Sequence, residues 1–185
     1  WNDTEGGGAT LIVTPAGESV LIDSGFPGGR DAARIHKTAA EVAGLKKIDY
    51  LVITHFHRDH FGGAAELAAL MPIGQVYDKG IPDADPDHNL RNTNWPTQIK
   101  PYREFKADAR HLIRAGDEFA LKQPTNGLKL TLRCLGASQK FIPAPTNAGA
   151  NTLCGSVAEK PLDTSGNANS VVMVLDFGSF RFFDG

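Results

Sequence analysis

Three imidazoles and a carboxylate crowd into six positions of one short stretch, His55-Phe56-His57-Arg58-Asp59-His60. The chain has six histidines in all, so half of them stand here, directly after the apolar run Tyr50-Leu51-Val52-Ile53. Neutral imidazole together with carboxylate is the ligand set that borderline cations such as Zn²⁺ take. Scattered surface histidines would not repeat at such regular spacing, so His55, His57, Asp59 and His60 are the candidate metal ligands. Zinc, as one or two ions, is the expected cation, and manganese or iron also suits these donors.

The spacing says how the donors must be held. In extended backbone alternate side chains share a face, so His55 and His57 point one way and Phe56 the other, into the core. Asp59 and His60 follow a turn later, where the chain starts a helix, and face the same point from another side. Two pairs of donors from one loop suit two neighbouring cations. A water between such cations is acidified into a nucleophile near neutral pH. Asp59 is the candidate catalytic carboxylate, accepting a hydrogen bond from that water and steering it. Gly62-Gly63 is expected to let the backbone pass close to the cations without a Cβ in the way.

The flanking elements follow from local patterning. Ala9 to Thr14 alternates and is β-branched, Pro15-Ala16-Gly17-Glu18 makes a turn, and Ser19 to Ile22 returns as a hairpin partner. Asp31 to Ala43 has helical composition, with Asp31 in its first turn and Gly44 as its stop. Ile48 to Thr54 reads as a strand buried on both faces, and Phe61 to Leu70 as the helix after the histidine loop. Lys129 to Leu135 and Ser170 to Leu175 read as two edge-like strands, and Phe180 to Phe183 as a last one. Sheets faced by helices give an α/β layered architecture. The Pro- and Asp-rich stretch 81–89 reads as a loop, and 138–169 as a second irregular stretch. Loops this long inside a domain serve as lids or binding loops, or merely decorate the surface. His88, in the first of them, reads as an exposed loop histidine.

Length and composition bound the rest. A chain of 185 residues with 41% hydrophobic content is enough for one core, so residues 1–185 are expected to form a single domain. A formal net charge of −2 gives no overall basic field, which argues against nucleic acid as a partner. No run approaches the roughly 18 apolar residues of a membrane span. The first residue is Trp1 rather than Met, which fits either a removed export signal or residues left out upstream. Periplasmic or secreted export is thus one expectation.

Here the sequence resembles a known family. His55-Phe56-His57-Arg58-Asp59-His60 is similar to the H-x-H-x-D-H signature of the metallo-β-lactamase-fold hydrolases. Val20-Leu21-Ile22-Asp23-Ser24-Gly25 resembles the family's first motif, a strand ending in Asp-Ser/Thr-Gly. Asp3-Thr4-Glu5-Gly6-Gly7-Gly8-Ala9-Thr10-Leu11-Ile12 resembles the opening of the branch that includes the hydrolase domain of bacterial DNA-uptake channels, and the Asn-rich lead-in Asn167 to Leu175 is similar to that branch too. The resemblance implies a four-layer αββα sandwich. It implies that Asp23 orients the metal loop by hydrogen bonds rather than ligating; the local alternative is a turn-capping Asp. It also implies hydrolysis by a metal-bound hydroxide of an ester, amide or phosphodiester bond in a small-molecule or phosphodiester substrate.

Two departures from the family pattern bear on activity. The place matching the third motif, Leu132 to Gln139, holds no histidine, and neither His88 nor His111 reads as a substitute. The bridging Asp of the fourth motif is expected just past Gly185; Asp184, one position short of Gly185, is the weaker candidate for it. On this pattern the chain is expected to be an incomplete copy lacking the C-terminal part of the domain, with little activity by itself. The competing reading is a degenerate member of the fold that works as a binding or structural domain. The intact His55–His60 cluster speaks for the hydrolase, and the missing ligands speak for the degenerate domain.

Cys134 and Cys154 are the only cysteines. They pair in an oxidising compartment and stay free in a reducing one, and Cys134 as a metal ligand ranks below both. Thiol titration of the denatured protein, with and without reductant, separates these outcomes: two thiols without reductant exclude the disulfide.

Overall fold

An apolar hairpin opens the fold. Strand β1 (Thr10–Val13) pairs antiparallel with β2 (Ser19–Ile22), Leu11 opposite Leu21, across the Pro15–Glu18 turn. Helix α1 (Arg30–Lys37) runs on through a wider turn at Thr38–Val42 and stops at Gly44, whose φ of 67° is the left-handed conformation that ends helices. Strand β3 (Ile48–Ile53) lies parallel to β2, followed by α2 (Arg58–Phe61), α3 (Ala64–Leu70), β4 (Ile73–Asp78), α4 (Trp95–Glu104) and β5 (Ala109–Leu112). These strands make one sheet in the order β1-β2-β3-β4-β5. Then β6 (Leu130–Ala137), the short β7 (Lys140–Phe141), β8 (Val172–Phe177) and β9 (Phe180–Asp184) make an antiparallel sheet in the order β7-β6-β8-β9. The computed structural model describes residues 1–125, 127–147, 149, 152, 155, 157–158 and 160–185.

Strand alternation distributes the apolar residues between two cores. Leu21, Leu51 and Ile53 face the helices and pack with Ala32, Ile35, Leu67, Trp95 and Ile99. Val20, Ile22, Tyr50 and Val52 face the second sheet and pack with Leu132, Cys134, Met173 and Leu175. The apolar run of β3 is therefore buried on both faces, as its composition predicts. The layers run helix, sheet, sheet, the first three of the αββα order; among the described residues the helices supply side chains to the first core and none to the second.

Several expectations change. The stretches expected to be edge-like strands, β6 and β8, are the two interior strands of their sheet. Along Leu130–Cys134 of β6 buried residues alternate with more exposed ones because only one face meets the other sheet, while β8 buries Met173, Val174 and Leu175 in succession. The helix expected over Phe61–Leu70 begins earlier, at Arg58, and breaks at Gly62-Gly63. Those glycines do not approach the histidine cluster: a Cβ on Gly63 would strike the carbonyl oxygen of Ser24, and one on Gly62 would strike Arg58 and Pro27. They let the helix start pack on the 24–27 loop. Strand β4 and helix α4 carry no clear local signal. Gly74 and Gln75 dilute the apolar run of β4, while α4 contains Pro96 in its first turn and Pro101 inside it. Within the stretch read as irregular, Lys140–Phe141 pairs with the end of β6.

Phe56 does what the alternation requires. It is 1% exposed, and its ring lies 5.8 Å from Phe61 and 5.5 Å from Tyr102. It pins the backbone between the two histidines to the helix-side core. Phe56→Ala is expected to lower stability by about 3–5 kcal/mol, read by urea unfolding.

Candidate metal centre

The site stands where β2, β3 and β9 end. After Ile53 the chain leaves β3 still extended, with His57 at φ −86° and ψ 146°, and turns into α2 at Arg58. His55 is buried and His57 and His60 are half-buried. Beneath them lies Asp23, held in the left-handed region at φ 60°, a conformation Asp tolerates better than most residues. Its buried carboxylate accepts from the Thr54 N–H at 2.8 Å, the Thr54 hydroxyl at 2.7 Å and His60 Nδ1 at 2.6 Å. The loops interlock around it: Gly8 N–H donates to the Asp59 carbonyl, Gly25 N–H to the Gly8 carbonyl, and Ser24 N–H to the His60 carbonyl. A Cβ on Gly8 would lie 2.9 Å from His60 Nδ1 and 3.0 Å from Asp23 Oδ2, so the N-terminal Gly-rich segment must lack a side chain there.

Hydrogen-bond partners assign the imidazole tautomers. The single Thr54 hydroxyl proton goes to Asp23, so His55 Nδ1, 3.0 Å from Thr54 Oγ1, must donate, and His55 Nε2 carries a lone pair. A carboxylate only accepts, so His57 Nε2, 2.9 Å from Asp87, is the N–H, and His57 Nδ1 keeps its lone pair. These two lone-pair nitrogens face each other at 3.1 Å. By the same reasoning His60 Nδ1 donates to Asp23, leaving Nε2 opposite Asp59 Oδ2 at 3.5 Å. Acceptors facing each other repel unless a proton or a cation lies between them. Two donors about 2.0–2.1 Å from one tetrahedral cation stand roughly 3.4 Å apart. Both gaps match that spacing, so the donor set fits a cation at each: His55 with His57, and Asp59 with His60. Among the described residues no three His, Cys, Asp or Glu side chains converge as a ligand group; the donors stand in pairs.

The surroundings separate the histidines electrostatically. Burial above all, with the neighbouring His60 and His57, pushes the His55 imidazole down to about 3 and keeps it neutral. His60 moves the other way: burial opposes its charge, but the bond to Asp23 and the nearby Asp59 and Asp184 raise it. A neutral His55 keeps a lone pair available, whereas a cation at His60 would compete with a proton that the neighbouring carboxylates hold more tightly than usual.

Asp184 ends β9 and lines the same cavity as Asp23, His55 and His60, a space of about 580 Å³ between the two sheets. The third-motif region supplies no donor: Cys134 faces the core between the sheets, its thiol bonded to the Gly136 carbonyl and pushed up to about 11 by burial. Its proposed partner Cys154 lies outside the described residues. His111 stacks on Tyr77 at 4.6 Å, and His88 is exposed on its loop.

Two residues near the cluster carry no sequence signal strong enough to single them out. Asp87 belongs to the Asp-rich 81–89 loop, where only composition marked the stretch. Lys79 directly follows the last β3–β4 pair, Ile53 opposite Asp78, and its half-buried ammonium is depressed by burial and in turn lowers His55.

Residues 3–175 match the sequence model of the metallo-beta-lactamase superfamily, and the chain belongs to that superfamily. It is similar to two UPF0173 metal-dependent hydrolases. That of Polynucleobacter asymbioticus is 39% identical over 57 residues, 31% of this chain and 19% of the relative. That of Cupriavidus metallidurans is 35% identical over 68 residues, 37% of this chain and 22% of the relative. A solved metallo-beta-lactamase with a HARLDQ motif from Cronobacter sakazakii is 16% identical with a TM-score of 0.47, over 90% of this chain and 47% of that one. The chain thus spans about a fifth of the length of the curated relatives it matches and about half of that solved chain.

Asp184 gives the site a measurable pH signature. Burial first, and then the Asp23 carboxylate, push it from 3.8 to about 6, with His60 pulling the other way. The folded chain holds this proton more tightly than the unfolded chain. The cost of ionisation is therefore absent below about pH 4 and complete above about pH 6, so stability falls as pH rises through that window. In the metal-free chain Asp184→Asn is expected to add on the order of 1 kcal/mol near pH 7.5, a figure reduced for partial exposure, and nothing near pH 4. Urea unfolding at the two pH values reads the difference.

Proposed function

We propose that the chain carries the metal-binding half-site of a metal-dependent hydrolase, with His55 and His57 holding one divalent cation and Asp59 and His60 a second. The observation that carries this reading is the pair of gaps, 3.1 Å between His55 Nε2 and His57 Nδ1 and 3.5 Å between His60 Nε2 and Asp59 Oδ2, each close to the width two ligands of one cation require. A bound cation would acidify a coordinated water and polarise the bond to be cleaved. Asp23 keeps His60 turned and, through Thr54, fixes His55. Asp59 holds its carboxylate beside His60 and accepts a proton or hydrogen bond from the attacking water. Asp184 adds a carboxylate to the cavity wall. Zinc is the proposed cation, with manganese or iron as the alternatives.

For the substrate, the resemblance of Asp3–Ile12 and Asn167–Leu175 to the DNA-uptake branch favours a phosphodiester. Lys79, near enough for its charge to lower His55, would add a positive field for an anionic group. A formal net charge of −2 favours a small phosphodiester over a long nucleic acid. One observation supports a second reading, a non-catalytic binding domain: neither donor pair has a third protein ligand among the described residues.

Metal analysis tests the site. The chain is stripped with chelator, reconstituted with Zn²⁺ or Mn²⁺, and its metal counted. About one ion per chain or more is expected, falling sharply when His55 and His57 are both replaced by Ala; less than about 0.2 per chain in the unmodified protein excludes the site. Loaded protein is then offered phosphodiester, phosphonate, lactam and thioester substrates. Metal-dependent phosphodiester cleavage supports the hydrolase, and loading with no turnover supports the binding domain.

A further inference from the structure

Asp87 lies thirty residues beyond His57, on the loop between β4 and α4, yet both of its carboxylate oxygens stand 2.9 Å from His57 Nε2. They meet the ring at the nitrogen that faces away from His55; the facing nitrogen, Nδ1, is the one 3.1 Å from His55 Nε2. Asp87 is thus placed to hold the ring rather than to share its cation. We propose that Asp87 is the positioning residue of the first cation site: it takes the Nε2–H of His57 and so presents the Nδ1 lone pair to the cation. This inference rests on the metal reading above and adds to it a residue outside the His55–His60 cluster. A carboxylate behind a ligating imidazole fixes its tautomer and ring direction and makes the facing nitrogen a better donor.

The carboxylate is itself held from two directions. Asp85 accepts from the Asp87 N–H at 3.0 Å and from the Asn92 side chain at 2.6 Å, which fixes the loop. From the second long loop, the Gly166 N–H donates to Asp87 Oδ1 at 2.8 Å. Gly166 packs so closely that a Cβ there would lie 2.7 Å from His57 Nε2 and 3.2 Å from Pro86 Cβ. Only glycine allows this backbone to reach the carboxylate without displacing the imidazole. Both loops that composition alone leaves without a role therefore converge on one face of His57. The first positions the imidazole, and the second positions the first.

Two measurements test this on the whole chain. Long-range ¹H–¹⁵N correlation of the metal-free protein reads the imidazole tautomers directly. His57 is expected as the Nε2–H form in the unmodified chain and as a tautomer mixture in Asp87→Ala. Zn²⁺ affinity, from competition with a chromophoric chelator, is expected to fall about 10–100-fold in Asp87→Ala. Asp87→Asn, which keeps an acceptor oxygen, is expected to lose less, and Gly166→Ala is expected to weaken binding by displacing the ring. Thermal unfolding of each variant confirms that the fold is retained, and a merely structural role for Asp87 would leave the His57 tautomer unchanged. An Nδ1–H form of His57 in the unmodified chain overturns the proposal, as does an Asp87→Ala affinity equal to the unmodified one. Failure of the unmodified chain to bind Zn²⁺ overturns the metal reading, and this proposal with it.

Discussion

The carboxylate of Asp23 is the tie on which the site depends. Burying a charged carboxylate is costly unless its oxygens are fully occupied by donors. Here Thr54 supplies two and His60 a third, all within 2.8 Å. Hydrogen bonds to a charged group contribute about 1.5–3 kcal/mol each, so three of them offset the cost of burial. The geometry also closes a chain from the end of β2 to the end of β3 and on to α2. His60 is bonded to it directly and His55 through the Thr54 hydroxyl, so one buried group sets the direction of two imidazoles of the cluster. The left-handed backbone at residue 23 is part of the same arrangement, since it turns the side chain back toward the strand ends.

Around that tie carboxylates and imidazoles crowd together. Asp23, Asp59, Asp87 and Asp184 surround three imidazoles, and one of those imidazoles, His55, is held neutral by burial. His60 compensates in the metal-free chain by holding its proton more tightly. The cavity beside them is wide, and its walls mix these polar groups with apolar side chains such as Ile22, Val171 and Phe182. A cation would relieve the excess of acceptors, while the apolar walls lower the local dielectric and strengthen the charge interactions within the cavity.

The legible part of the fold was the part governed by neighbours in sequence. The β1–β2 hairpin, α1 with its Gly44 stop, and the doubly buried β3 all follow from alternation, helical composition and turn residues acting over a few positions. The same holds for His55, Phe56 and His57, because side chains alternate along an extended strand whatever lies around it. Strand β4 and helix α4 escaped because their residues are chosen by packing. Gly74 fits against β3, and Pro101 sits in a helix held by Trp95, Ile99 and Tyr102 in the helix-side core. The exposed or interior status of β6 and β8 was likewise invisible, since strand order depends on partners far along the chain.

Residue types and spacing along the chain settled that His55, His57, Asp59 and His60 belong together, that Phe56 anchors them, and that the architecture is α/β. They did so because five covalent steps cannot carry those six positions far apart, and the turn into α2 at Arg58 folds the last of them back on the first. Which nitrogen of each imidazole faces its neighbour was left to the tertiary structure. So were the burial of Asp23 beneath them and the approach of Asp87 and Gly166 to His57 from loops thirty and more than a hundred residues away. A hydrogen bond of 2.9 Å between distant segments exists only when both cores have packed and brought the strand ends side by side.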